Sequence, residues 1–251
     1  MSKNKLQKFA AMEQFNNVFQ CTAKEVLLGG EKSDFSGHWH EYFCNDNPIV
    51  LELGCGHGDY TVGLAKLFPY KNFIGVDIKG ARMYNGAKAA TENRMPNVAF
   101  LRTNIEFVER FFDHDEVDEI WITFPDPQMK KATKRLTSSF FMLRYQNILK
   151  NNGLIHLKTD SPFLYQYTIE MVKANNYLLL ADTDNLYNAD VQMPNYKYAT
   201  CIQTHYERQW LERGMNIKYI CFELKHKNEV LEPEVDIEKD TYRSYGRNYN
   251  A

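Results

Sequence analysis

The stretch from Pro48 to Asp59 constrains this chain more than any other. An apolar run, Ile49–Leu53, carries one acid, Glu52, and stops at three glycines set two apart, Gly54, Gly56 and Gly58. Helical spacing of apolar residues begins after Asp59. The pattern predicts a buried strand, a tight turn and a helix start. Glycines in such a turn let backbone N–H groups approach a ligand that side chains would hold off. Where a turn reads G-x-G-x-x-G, the helix N-terminus faces a pyrophosphate. Here the third glycine comes one residue early and Glu52 lies two residues before the first. That carboxylate repels an anion and favours a cationic ligand.

Downstream, apolar runs and helical patterns alternate. Asn72–Asp77 reads as a second strand and ends in an acid 19 residues after Gly58. A carboxylate at that distance can accept both hydroxyl hydrogen bonds of a ribose diol, and paired with the glycine turn that reading outweighs a plain helix cap. Lys79–Arg94 reads as a helix and Val98–Arg102 as a third strand. Asn104 follows it, able either to face an adenine edge or to cap a helix over Ile105–Phe112. Val117–Phe124 is a fourth strand, Ser138–Lys150 a helix, Gly153–Leu157 a fifth strand and Pro162–Asn175 a helix. The alternation predicts an α/β, doubly wound, mostly parallel sheet, with ligands outside the carboxyl ends of its strands. Glu52, Asp77, Asn104, Asp126 and Asp160 all fall at those ends. After Tyr177 the rhythm breaks: Tyr177–Ala181, an irregular Asp182–Pro194, a helix-like Thr204–Glu212 and the apolar Ile217–Leu224 fit antiparallel strands at one edge.

Residues 1–47 read as an arm and a packing segment, 48–225 as the main domain and 226–251 as a poorly structured tail. For residues 1–12, with Lys3, Lys5 and Lys8, a solvated terminus and an RNA contact are equally compatible with the sequence. No apolar run reaches membrane-spanning length, and the first residues lack the core of a signal peptide, so a cytoplasmic protein is expected. Five scattered cysteines without a C-x-x-C pair predict reduced thiols, neither disulfide framework nor zinc site. His38-x-His40 and the other histidines have no ligand-like partners at metal spacing, so no metal is expected. A net charge of −2 leaves any nucleic-acid binding to local basic patches.

One such patch follows the fourth strand. Phe124-Pro125-Asp126-Pro127 is a turn whose two prolines fix the backbone around an acid. Lys130-Lys131-Ala132-Thr133-Lys134-Arg135 comes next, a run suited to phosphate contact. Leu157-Lys158-Thr159-Asp160 ends the fifth strand with a second acid.

The acid-flanked glycine turn resembles that of S-adenosylmethionine-dependent methyltransferases. The full series, E-x-G-x-G-x-G, F-P-D-P with trailing lysines, L-K-T-D, and Thr204-x-Tyr206-Glu207 before Gly214, resembles the bacterial tRNA (guanine-N7)-methyltransferase family over roughly Pro48 to Leu224. The resemblance implies a Rossmann-like methyltransferase domain acting on N7 of a tRNA guanosine, guanine-46 of the variable loop, as a monomer or homodimer. It implies that Glu52, Gly54, Gly56, Gly58, Asp77, Asn104 and Asp126 surround S-adenosylmethionine and its product S-adenosylhomocysteine. Lys130, Asp160, Thr204, Tyr206 and Glu207 would hold the guanosine, with Asp126 and Asp160 as the catalytic acids. Gln128 stands where the family usually has Trp, the basic run is shorter than the family's, and the Asn104 position is often an acid there. Two rival readings are an amino-methyltransferase with another acceptor and a non-catalytic RNA-binding module. The intact cofactor turn disfavours the second.

Overall fold

The computed structural model of the chain describes residues 3–21, 32–188 and 196–241. Its strands in chain order are β1 (Val18–Gln20), β2 (Ile49–Leu53), β3 (Asn72–Asp77), β4 (Val98–Arg102), β5 (Val117–Thr123), β6 (Leu149–Thr159), β7 (Leu178–Thr183) and β8 (Lys218–Leu224). Side by side they run β1-β4-β3-β2-β5-β6-β8-β7. Every neighbouring pair through β6 is parallel, and β8 alone is reversed, inserted between β6 and β7. The expected α/β sheet with an antiparallel edge is therefore present, and one strand creates both antiparallel ladders.

The central strand explains the order. All five residues of β2 are buried, as a parallel strand covered on both faces requires. Alternate residues feed two cores. Ile49, Leu51 and Leu53 face α2 (Trp39–Phe43), α5 (Ser139–Tyr145) and α6 (Pro162–Ala174). Val50, with Phe73, Phe100 and Trp121 of its neighbours, faces α1 (Lys3–Met12), α3 (Asp59–Leu67), α4 (Gly80–Glu92) and α7 (Tyr196–Cys201). The last helix, α8 (His205–Glu212), lies on this second side through Trp210 and Leu211. Among the described residues no helix is long and apolar enough to cross a membrane.

Three segments differ from their sequence reading. The helix expected over Ser138–Lys150 stops at Tyr145, and β6 already begins at Leu149. Asn151-Asn152-Gly153 is a bulge inside that strand, with Asn152 at φ 62°, and the ladder slips between Val117↔Leu149 and Glu119↔Leu154. A helix expected over Ile105–Phe112 is a short 3-10 turn, Ile105–Arg110. The segment before Pro48 supplies an edge strand, since β1 pairs with β4 from Val18↔Phe100 onward. It also supplies the fully buried Trp39, whose ring stacks 5.4 Å from Phe112 and whose indole N–H donates to Phe111 O at 2.8 Å.

The segment after β8 forms no helix or strand over residues 225–241, yet it is pinned. Leu231 N–H donates to Asn175 Oδ1 at 2.8 Å, and Ser139 Oγ donates to Glu232 at 2.7 Å. Asp240 accepts from Ser161 Oγ at 2.5 Å and from Phe163 N–H at 3.0 Å, so it caps the start of α6. That cap helps satisfy the otherwise orphaned first amides of the helix.

Candidate active site

The parallel register puts the ends of β4, β3, β2, β5 and β6 in one row. The chain leaves β2 for β3 on one side and returns to β5 on the other, which opens a crevice at that switch. The three glycines of the β2 turn all have positive φ: 79° at Gly54, 54° at Gly56 and 75° at Gly58. Their jobs differ. A Cβ on Gly54 would meet nothing within 4 Å, so that position opens onto the crevice. One on Gly58 would lie 2.8 Å from Phe100 Cε1 and 3.1 Å from Gly86 Cα, so Gly58 serves close helix-sheet packing.

Asp77 reaches this crevice from the end of β3. Its Oδ2 accepts from Gly56 N–H at 2.9 Å and its Oδ1 from Lys79 N–H at 2.7 Å. The carboxylate is thus held in place by two backbone donors, with lone pairs left for a ligand. Glu52 is placed differently from the expectation that it faces the ligand. It is 3% exposed, beneath the crevice. Thr61 donates to Oε2 through N–H at 2.8 Å and Oγ1 at 2.5 Å, and Thr123 Oγ1 donates to Oε1 at 2.8 Å. Glu52 therefore anchors the first turn of α3 and ties it to the end of β5. Burial pushes its pKa up to about 7 against the pull of those hydroxyls.

Asn104 begins the 3-10 turn, but its side chain makes no capping bond. Asp126 is exposed at the β5 turn, with Oδ1 accepting from Gln128 N–H at 3.0 Å. Phe124, just before it, holds φ 50°, a strained backbone for an aromatic residue. The cationic run then divides. Lys130, Lys131 and Lys134 are exposed, Lys134 paired with Glu106. Arg135 is only 8% exposed. It donates to Gln128 O at 3.2 Å and Met129 O at 3.1 Å and lies over the rings of Phe163 and Tyr167 at 4.8 and 4.5 Å. It fastens the loop to α6 and does not face solvent.

Asp160 directly follows β6 and is 0% exposed. Behind it, Lys158 Nζ is buried against Ala199 O at 2.5 Å, Ile202 O at 3.0 Å and Glu207 Oε1 at 2.6 Å. Glu207 closes a capping box at the start of α8: Thr204 Oγ1 accepts from Glu207 N–H at 3.1 Å, and Glu207 Oε2 accepts from Thr204 N–H at 3.2 Å. Tyr187 also donates its hydroxyl to Glu207, at 2.6 Å. The L-K-T-D and T-x-Y-E motifs are therefore joined by a buried ion pair. Glu207 (0% exposed) holds the segment from behind, while Thr204 (8%), His205 and Tyr206 line the crevice.

Among the lining residues that the sequence reading did not single out are His57, Asp59, Arg82 and Thr123. Arg82 lies 5.5 Å from the Tyr206 ring, and the rings of His57 and His205 are 5.6 Å apart. His205 N–H donates to Asp59 Oδ2 at 3.0 Å, which fixes α8 to α3. Burial, with His205 and Arg82 nearby, keeps His57 below its ordinary pKa despite Asp59. No spacing rule links residues so far apart in the chain. The capping box, by contrast, is readable as Thr204-x-x-Glu207.

A family model described as "Putative methyltransferase" matches residues 46–220. A protein of Bacteroides fragilis named tRNA (guanine-N(7)-)-methyltransferase is 54% identical over 248 residues, 98% of this chain and 96% of its own length. One of the same name from Porphyromonas gingivalis is 55% identical over 240 residues, 94% of this chain and 96% of its own. Among solved structures, the 16S rRNA methyltransferase KamB superposes with a TM-score of 0.57 over 78% of this chain and 95% of its own at 14% identity, a likeness of fold.

Proposed function

The chain belongs to the tRNA (guanine-N7)-methyltransferase family, and on that premise we propose that it methylates N7 of guanine-46 in the variable loop of tRNA. The cofactor is S-adenosylmethionine, and the crevice suits it. Gly54 opens where a Cβ would stand between backbone and ligand, and Asp77 offers a carboxylate already oriented by two amides toward a ribose diol. Gly54, Gly56 and Asp77 would hold the nucleoside, with Asn104 beside the adenine end. Glu52 supports them from below through Thr61 and Thr123. When bound, S-adenosylmethionine supplies a methyl group on a cationic sulfonium and leaves as S-adenosylhomocysteine.

The chain's own task is light in acid–base terms. Guanine N7 presents a free in-plane lone pair, so no residue has to take a proton before attack. The ring gains positive charge as it is alkylated, and the useful contributions are alignment and fixed negative charge beside it. Asp126 carries this reading. It is an exposed carboxylate at the crevice end of β5, oriented by the Gln128 amide on a turn stiffened by Pro125 and Pro127. Lys130 and Tyr206 are the accessible members of the substrate set. Asp160 and Glu207 act from within, by keeping the β6 end and α8 in place, and Thr204 caps α8 at the crevice wall. The enzyme works in the cytoplasm, where its tRNA is.

The test is nucleoside analysis of tRNA incubated with purified protein and S-adenosylmethionine. Alkali-labile 7-methylguanosine at position 46 is expected, with Asp126→Asn turning over about 10²–10³ times slower. A methyl on an exocyclic amine, or full activity in Asp126→Asn, would defeat the proposal.

A further inference from the structure

We propose that His114, Asp115 and His226 form a binding site for a divalent transition cation of the zinc type, at the end of the sheet away from the catalytic crevice. His114 and Asp115 precede β5, and His226 follows β8, whose last residue, Leu224, pairs with Gly153 near the start of β6. The reversed direction of β8 is what brings the two histidines together. One ligand atom from each of the three side chains lies within 4.8 Å of the others. Imidazole and carboxylate are donors that zinc and its neighbours in the first row accept readily.

Three details separate this cluster from a chance meeting of polar groups. His226 Nε2 lies 2.8 Å from Leu149 O, and only a protonated ring nitrogen can face a carbonyl. The proton is therefore on Nε2, and Nδ1 keeps a bare lone pair. A ring nitrogen held by a backbone carbonyl while the other is free is the usual preparation of a metal-binding histidine. The His226 backbone is itself fixed, its N–H donating to Asn151 Oδ1 at 2.9 Å.

Asp115 adds a second sign. Its Oδ1 is shielded from solvent and accepts no hydrogen bond among the described residues, while Oδ2 lies 3.0 Å from His114 Nδ1. A shielded carboxylate oxygen with no donor is costly unless something positive satisfies it. Asp115 also holds φ 56°, a conformation that costs energy in a non-glycine residue. The third detail is ring placement: His114 and His226 stand 6.0 Å apart, nearly perpendicular at 83°. Two imidazoles in that attitude can direct lone pairs at a common point. Three protein ligands leave the remaining positions to water, so the site binds an exchangeable ion and clips the loop before β5 to the segment leaving β8.

Metal-stripped full-length protein is titrated with zinc chloride by calorimetry at neutral pH. One zinc per chain is expected, with binding weakened at least about tenfold in His226→Ala and likewise in the surface variant His114→Ala. Asp115→Asn, which keeps the shape, should also weaken it. Methyl transfer should be the same with and without zinc, in wild type and all three variants, because the crevice lies at the other end of the strands. Zinc binding that survives His226→Ala and His114→Ala unchanged would come from elsewhere, the His57–His205 pair included, and overturns the proposal. So does a wild-type protein that shows no saturable zinc binding.

Discussion

His156 and Lys158 stand two residues apart on β6, on the same face, at 1% and 0% exposure. Burial leaves these two cations in opposite conditions. For His156 the cost of burial is outweighed by Cys221 and Glu119, and its pKa rises to about 9. For Lys158 burial prevails over Glu207, and its pKa falls to about 8. The difference lies in where the partners come from. His156 stacks on Trp121 at 4.0 Å, bonds Tyr219 Oη at 2.8 Å and pairs with Glu119 at 3.1 Å, all on adjacent strands. Glu119 is further held by Lys71 at 2.6 Å and by the Trp121 indole N–H at 2.6 Å. Lys158 meets carbonyls and a carboxylate from α7, α8 and the turn between them. One cation binds the sheet to itself; the other holds a separate segment, with Tyr206 and His205, against the crevice.

The strongest way to break the comparison is to remove the partner on the segment. Glu207→Ala leaves the Lys158 ammonium buried without its carboxylate and removes the α8 capping box. About 3–5 kcal/mol of unfolding free energy should be lost, measured by urea denaturation. Lys158→Met combined with Glu207→Gln should recover most of it, because glutamine can still cap Thr204 and meet Tyr187. A loss below about 1 kcal/mol in Glu207→Ala would mean that Lys158 finds water.

The second test uses pH. His156 has a folded pKa above its unfolded value, so its stabilising contribution is complete below about 6.5 and disappears as pH rises through 9. That contribution is on the order of 3 kcal/mol. Lys158 runs the other way: its folded pKa is depressed, so its cost is present at lower pH and is relieved between 8 and 10.5. Unfolding free energies of wild type and His156→Gln across this range isolate the first group, since the rest cancel in the difference. A wild-type advantage that does not shrink between pH 6.5 and 9 would contradict a charged His156.

How far the sequence reads into this structure follows the same division. The strands are legible because each is a short apolar run, and Asn72–Asp77 and Val98–Arg102 have the expected bounds. The crevice is legible where chemistry sits beside a strand end, as with Gly54 and Asp77. Glu52 reads as facing the ligand because its neighbours suggest it; the two threonines that claim its oxygens lie 9 and 71 residues away. The same blindness hides the Lys158–Glu207 pair and the Arg82–Tyr206 contact, both products of chain closure. The helix expected over Ser138–Lys150 runs too far for a local reason: Asn151-Asn152-Gly153 reads as the turn that closes a helix, and a bulge asks for the same residues.

A smaller effect is expected where buried and exposed cations meet in one loop. Arg135→Ala removes two carbonyl bonds and the packing on two rings, and should cost about 2 kcal/mol in thermal or denaturant unfolding. Arg135→Lys should not restore it, because an ammonium has neither the flat face nor the fork. Equal stability in Arg135→Lys and wild type would show that charge alone fastens the loop.

The smallest change in stability should come from the exposed members of that loop, and it is the most informative about RNA. Lys130, Lys131 and Lys134 face solvent, and among the described residues only Lys134 has a carboxylate partner, Glu106, at the surface. Surface pairs of this kind contribute at most about 1 kcal/mol, so the triple Ala variant should unfold within about 1 kcal/mol of wild type. Its tRNA affinity should nevertheless fall, and the log–log dependence of binding on salt should flatten by about 2–3, one counterion for each phosphate that is no longer neutralised. Binding of S-adenosylmethionine should be unchanged, because Gly54 and Asp77 do not touch this loop. Leaving Arg135 in place is essential to the design: its removal would loosen the loop and imitate weaker phosphate binding. An unaltered salt slope with intact stability would mean that the three lysines are solvated charges and that tRNA docks elsewhere on the crevice rim, with Arg82 and His205 next in line.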